Sequence, residues 1–475
     1  MTETTPVKLG TARGRGVILA TVLGSGMSFL DGLIVNIALP KIDEDISLGI
    51  SGLQWVVSGY LLTLSALLLL GGALGDMYGR RRIYLAGLVV FVVSSALCGV
   101  APSATVLIVA RAVQGIGGAL MVPASLAIIQ AVFVEEERGK AIGTWTGLGT
   151  VFTALGPFVG GVFVTYISWR WAFFINVPLG VLTWFVTMRF IPETHSGTNE
   201  ARSRLDVLGA LLCALALGGL TYWAIESSRD SAANTPLIVG LSGIGCLLLF
   251  LYWESRAPKP IMPLHLFRSA QFSWINICTI IFYGAFVGGS TFLGVQLQVG
   301  LHYTPLGAAL ATLPVSGCMI LLSGRFGALG QKIGAKLPMT VGPLLVAAAM
   351  AWMAEIHAGR GYWTFILPSI LLWGLGLSMV VAPLTSSALA AADQAFIGVA
   401  SAINNAASRV GQMVAIALLP TIAGMGGGAL DGPGFQNGYP RTLHVAAALC
   451  VASGVVALLF VKKHDQSALD HHKNG

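Results

Sequence analysis

Fourteen apolar runs, separated by short polar breaks, make up most of the chain. Each is long enough to cross a bilayer as a helix, which takes about 20 residues. Their bounds are 17–39, 53–75, 83–101, 105–128, 140–166, 171–190, 206–226, 236–253, 273–297, 305–325, 338–355, 363–390, 398–420 and 441–461. The breaks hold the turn formers and most of the charge. Residues 192–204 (PETHSGTNEARSR) and the basic, proline-containing 257–268 read as polar links, and 423–438 (AGMGGGALDGPGFQNG) as a glycine-rich loop. The pattern predicts an all-α integral membrane protein.

A repeat divides the pattern. Residues 72–79 (GALGDMYG) recur as 327–334 (GALGQKIG), an offset of 255. Gly115 and Gly117 recur as Gly374 and Gly376, and 138–141 as 397–400, both at an offset of 259. Spans one to six therefore match spans nine to fourteen. The expected organisation is a six-helix bundle over 1–190, a two-helix insert with polar linkers over 191–268, and a second six-helix bundle over 269–475. Parallel halves of this kind are the design of alternating-access carriers, with the substrate held between them near the midplane.

Composition agrees: 55% of residues are hydrophobic and 10% charged, against about 25% charged in a soluble domain. A net charge of +7 invites a nucleic-acid reading, but the placement of Lys and Arg gives it another meaning. Twenty of the 27 fall before span one, in the even-numbered turns or after the last span; five fall on the other side, and Arg111 and Arg409 lie inside spans. That bias places both termini in the cytoplasm of a cell with an inner or cytoplasmic membrane. The first 16 residues are followed by no small-residue cleavage site, so span one reads as a retained helix. The six cysteines are scattered through apolar runs, which indicates neither a disulfide framework nor a metal site. No nucleophile–base pair or acidic ring accompanies the spans, which weighs against an enzyme or an ion channel.

Asp31 lies inside span one, where a carboxylate costs about 2.5–3.5 kcal/mol on insertion scales. At 1.5 Å per residue it sits about 20 Å from the start of its span, and Arg111 about 10 Å below the outer end of span four. In a core about 30 Å thick those depths coincide. The two are expected to share a water-filled cavity, directly or through Gln114 one turn on. A guanidinium favours the charged form of a neighbouring carboxylate and a dry wall the neutral one, so pairing and access can switch a proton. The alternative is a permanent structural salt bridge. In span thirteen, Asn405, Arg409 and Gln412 repeat at helical spacing on one face, for packing or for substrate contact.

Four stretches carry a resemblance: 30–40 (LDGLIVNIALP), 71–82 (GGALGDMYGRRR), 111–125 (RAVQGIGGALMVPAS) and 156–161 (GPFVGG). In that order they resemble the signature motifs of major facilitator drug:proton antiporters. Residues 168–180 (SWRWAFFINVPLG) and 205–209 (LDVLG) are similar to the fourteen-span branch, which exports antiseptics, dyes and antibiotics. The resemblance implies the major facilitator fold and proton-coupled efflux of lipophilic, often cationic drugs, with no cofactor beyond the proton gradient and a monomer as the working unit. It implies that Asp31 exchanges protons and helps to bind cations, and that Arg111 transfers protons. Gly72, Asp76, Gly79, Arg80 and Arg81 are implied to latch the halves on the cytoplasmic side, Asp76 facing the positive N-terminus of a helix in the other half. With Gln331 in place of the second acid, the latch is one-sided. Gly156, Pro157 and Gly160 match the motif that marks antiporters. Relatives carry functional acids near Glu226, which otherwise belongs with Tyr222 and Trp223 to an interfacial belt. Tyr283, Phe286 and Gln296 of span nine are further pocket candidates. Span ten has no acid, which disfavours divalent cations. The same fold would also serve an exporter of a lipid or an endogenous metabolite.

Overall fold

The computed structural model describes residues 6–194, 206–227, 234–258, 260–391, 397–425, 430 and 432–461. Most of the 192–204 link, residues 426–429 and 431 of the glycine-rich loop, Arg202, Arg204, Arg229, Lys259, Lys462, Lys463 and Lys473, and the Gln331 side chain lie outside them. The described residues form helices α1 (Ala12–Ile46), α2 (Gly49–Tyr78), α3 (Arg80–Gly99), α4 (Ala104–Val132), α5 (Glu135–Tyr166), α6 (Trp171–Phe174), α7 (Asn176–Phe190), α8 (Val207–Glu226) and α9 (Thr235–Arg256). The second half continues with α10 (Ala270–Val295), α11 (Pro305–Ile333), α12 (Lys336–Met353), α13 (Leu367–Ala390), α14 (Ile397–Ile422) and α15 (Pro433–Phe460).

Counting α6 and α7 as one broken crossing, the chain crosses fourteen times. Thirteen of the crossings are long and apolar enough to be read as membrane spans by composition alone. The fourteenth, α14, is long enough, but Asn404, Asn405, Arg409 and Gln412 lower its hydropathy. Helices run past the apolar runs at both ends. α1 starts at Ala12 behind the Thr11 cap, whose hydroxyl accepts from the Gly14 amide, and continues through Pro40 to Ile46. Extra turns in polar surroundings cost little once a helix is nucleated.

α1–α7 pack as one bundle and α10–α15 as another. Within each, the same crossing is made through the same glycines. A Cβ on Gly117 would stand 2.5 Å from the Phe91 amide nitrogen and 2.8 Å from the Gly87 carbonyl oxygen, holding α4 against α3. In the second half a Cβ on Gly376 would stand 2.8 Å from the Gly342 carbonyl oxygen, between α13 and α12. Small residues let helix backbones approach where no hydrophobic drive exists between them.

The halves meet at the end away from the start of α1 and the finish of α15. There the Gln54 amide donates to the carbonyls of Ile416 (2.8 Å) and Ala417 (3.0 Å). Gln298 donates to the Ile37 carbonyl at 3.1 Å, and the Leu306 amide to Thr165 Oγ1 at 2.9 Å. The α8–α9 hairpin packs outside this seam, where Thr421 Oγ1 donates to the Ala224 carbonyl (2.9 Å) and Trp55 Nε1 to Glu226 Oε1 (2.9 Å). At its base, Asp206 accepts from Trp253 Nε1 (2.6 Å) and the Gly209 amide (2.8 Å), and Glu254 accepts from the Met262 amide (3.0 Å). Their other oxygens, Asp206 Oδ2 and Glu254 Oε1, are buried without a partner and converge over Gly209.

Candidate functional site

α1 carries Asp31 and α4 carries Arg111 and Gln114 into the middle of the first bundle. Arg111 Nη1 donates to Asp31 Oδ2 at 2.5 Å and to Gln114 Oε1 at 2.7 Å. Gln114 Nε2 donates to Asp31 Oδ1 at 2.8 Å. The break between α6 and α7 supplies a third donor: Asn176 Nδ2 reaches Asp31 Oδ1 at 3.1 Å and Ser95 Oγ at 2.9 Å. Arg111 Nε donates to the Val56 carbonyl at 3.2 Å, and its guanidinium lies 4.4 Å from the centre of the Tyr60 ring. Tyr60 Oη is 2.5 Å from Ser28 Oγ. Asp31 is 0% exposed and Arg111 1%. Charges taken so completely from water persist only when paired and hydrogen-bonded, as here.

Sequence reasoning found Asp31, Arg111 and Gln114 but not Asn176 or Ser95. The available signal was an asparagine in the apolar stretch after WRWAFF, at a position that reads as an ordinary turn of helix.

Between the halves lies a cavity of about 570 Å³. Its lining reaches Gln130, Leu389 and Ser401, towards the end where α1 begins and α15 finishes. Phe29, Tyr60, Leu61, Trp145, Tyr283, Phe286 and Met319 supply apolar wall, and Asn405, Ser408, Arg409 and Gln412 form a polar stripe from α14. The single face expected for Asn405, Arg409 and Gln412 therefore looks into the cavity. Asp31 does not. The cavity touches Arg111, and the carboxylate sits behind it with three donors upon it. The expected shared cavity is thus corrected: Arg111 borders it, Asp31 is screened from it, and no Asp or Glu is among the lining residues. Among the described residues the wall offers a bound cation no counter-charge.

Four other candidates also lie elsewhere. Tyr222 packs its ring 6.2 Å from Trp55, Trp223 is exposed on the outside of α8, and Glu226 takes the Trp55 indole. Gln296 turns to the Ile356 carbonyl at 2.9 Å. The insert packs outside the bundles, so its residues do not reach the space between them.

The latch residues also depart from expectation. Arg80 clasps Asp76 of its own half at 2.7 Å and donates to the Ala127 carbonyl at 3.1 Å. Arg81 donates to the Ile191 carbonyl at 3.2 Å, and Arg81 and Arg82 each lie 3.7 Å from Glu193. Gly79 has φ 107°, a backbone conformation that favours glycine, and Gly72 borders Pro123. These contacts stay within the first bundle and the link that follows it, and none reaches the second half. Gly156 and Gly160 seat α5 on α1, where a Cβ would stand 3.0 Å from Leu33 and 3.1 Å from Ile34, with Pro157 between them in the helix. At Gly161 a Cβ would stand 2.8 Å from Leu306 Cα of the other half.

Comparison with known proteins follows the same lines. The family description Major Facilitator Superfamily matches residues 21–416. The chain is 35% identical over 447 residues to Multidrug resistance protein Stp of Mycobacterium tuberculosis (strain CDC 1551 / Oshkosh), covering 92% of this chain and 81% of that one. It is 31% identical to the Methylenomycin A resistance protein of Bacillus subtilis (strain 168), covering 96% and 97% of the two chains. With the Tetracenomycin C resistance and export protein of Streptomyces glaucescens it shares 32% identity over 86% of this chain and 76% of the other. Among solved structures, a POT family transporter in complex with 5-aminolevulinic acid superposes with a TM-score of 0.72 at 14% identity, over 97% of this chain and 98% of that one. The xylose transporter XylE from E. coli, in an inward open conformation, superposes with a TM-score of 0.65 at 15% identity, over 96% and 98%. At such identities the likeness is one of fold.

Proposed function

The chain belongs to the major facilitator superfamily, whose members are transporters and not enzymes, and on that premise we propose that it exports lipophilic small molecules in exchange for protons by alternating access. One observation carries the proton part: an acid and an arginine are fully buried together, and the arginine borders a cavity between two repeated halves. While Asp31 is charged, Arg111 is held and the α1–α4 junction is locked. A proton on the carboxyl removes half of that pair, leaves the guanidinium to find water or other acceptors in the cavity, and loosens the junction. The Lys and Arg bias puts the cavity mouth on the cytoplasmic side, so a compound enters from the inner leaflet or the cytoplasm. The resistance and export named for its relatives supports efflux as the direction.

The test is movement of Nile red, a neutral lipophilic dye, in proteoliposomes with an imposed pH gradient. Wild type concentrates the dye only while the gradient stands. Asp31→Asn keeps dye binding and loses gradient-driven movement. If the variant pumps at the wild-type rate, Asp31 is not the proton carrier.

A further inference from the structure

Two positive charges reach the wall of the cavity, and they differ in one respect. Arg111 has its counter-ion in Asp31. Arg409, on α14, makes no ion pair or hydrogen bond among the described residues, and its closest aromatic partner is Phe29, with the guanidinium 6.0 Å from the ring centre. Phe29 belongs to α1, so the guanidinium projects across the cavity from the second half towards the first. Asn405 and Gln412 flank it on the same helical face. An arginine held in a membrane span with no acid beside it keeps its charge, because it does not deprotonate. Its planar fork then remains open to a bidentate oxygen acceptor.

We propose that Arg409 is an anion-recognition residue, and that the compounds carried are lipophilic acids with a carboxylate or phenolate head. The assignment rests on the export reading given above and names its substrate class. The head pairs with Arg409 and its neighbouring amides, and the apolar body lies against Phe286, Trp145 and Met319 of the same cavity. A lipophilic cation meets the opposite situation: positive charge in front with no acid on it among the described residues, and the Asp31 carboxylate already held by three donors behind Arg111. Like charges brought together in a site of low polarity repel strongly.

Full-length protein in lipid nanodiscs is titrated at neutral pH with three probes of one shape: pyrenebutyrate, pyrenebutanol and pyrenebutylammonium. The butyrate is expected to bind about tenfold more tightly than the alcohol, the gain of one charge-assisted contact, and the ammonium more weakly than both. Arg409→Gln removes the preference for the butyrate over the alcohol, and Arg409→Lys keeps part of it. The inference is overturned if the ammonium binds most tightly, or if Arg409→Gln leaves the butyrate preference intact. Proteoliposomes with a pH gradient separate the two readings. If the butyrate preference depends on Arg409 but no probe moves with the gradient, proton-driven export fails and the anion site stands. If the gradient drives the ammonium in preference to the butyrate, the anion site fails and export stands.

Discussion

The two halves share a scaffold and differ in what they place at one crossing. The offset of 255 carries Asp31 to Phe286, and the offset of 259 carries Gln114 to Trp373. Asp31 and Gln114 are joined by a hydrogen bond, whereas the rings of Phe286 and Trp373 pack at 5.6 Å. The glycine crossings around them are the same in both halves, at Gly117 on Gly87 and at Gly376 on Gly342. One half therefore holds its core by ionic and polar contacts that depend on protonation, and the other by ring packing that does not. At this crossing the first half places a buried ion pair; the second places an aromatic wall and, on α14, the polar stripe facing the cavity.

The largest expected effect breaks the asymmetry outright. Arg111→Ala leaves Asp31 buried without its counter-ion, and the cost of breaking such a pair is about 3–5 kcal/mol. Thermal unfolding in detergent should show a large fall in stability for this variant, and a much smaller one for a ring exchange such as Phe286→Leu. Equal losses from the two would mean that the ion pair is no more important to the fold than the aromatic contact.

The next test concerns what the halves share. Gly117→Ala and Gly376→Ala each push a methyl into a facing backbone, which in a packed interior costs about 1–3 kcal/mol. Comparable destabilisation from both, read by the same unfolding measurement, is the expected result. A tolerated alanine in one half alone would show that the crossings are not equivalent.

The smallest effect is expected in the insert. Asp31 has three donors, but Asp206 Oδ2 and Glu254 Oε1 face each other with no further donor. Glu254→Gln supplies Asp206 Oδ2 with a permanent donor where the carboxyl donates only while protonated, and a gain of at most about 1 kcal/mol is expected. An upward shift in midpoint temperature at neutral pH checks it; a fall would mean that the second carboxyl is needed as it is.

Much of this was legible in the chain. Apolar runs of bilayer length give the crossings, because lipid forces backbone groups to be satisfied within each helix. The offsets of 255 and 259 give the two halves. Asp31, Arg111 and Gln114 could be named because a charged or polar residue in an apolar run is costly and therefore conspicuous. Asn176 could not, since its role depends on a helix break that folds its amide back onto α1. Glu226, Tyr222, Trp223 and Gln296 have pocket-like chemistry, but the way the helices pack, which no single span encodes, keeps them off the cavity wall.

The sequence by itself determined the number of crossings, the repeat and the identity of the costly residues, because these follow from local hydropathy and spacing. Only the tertiary structure decided which way those residues look. It turned Asp31 inward behind Arg111 and left Arg409 facing the cavity with no acid on it among the described residues. Facing is settled by how neighbouring helices pack and rotate against one another, and contacts between distant segments set that rotation. For this reason the charge on the cavity wall among the described residues differs from the one that the membrane-buried acid suggested.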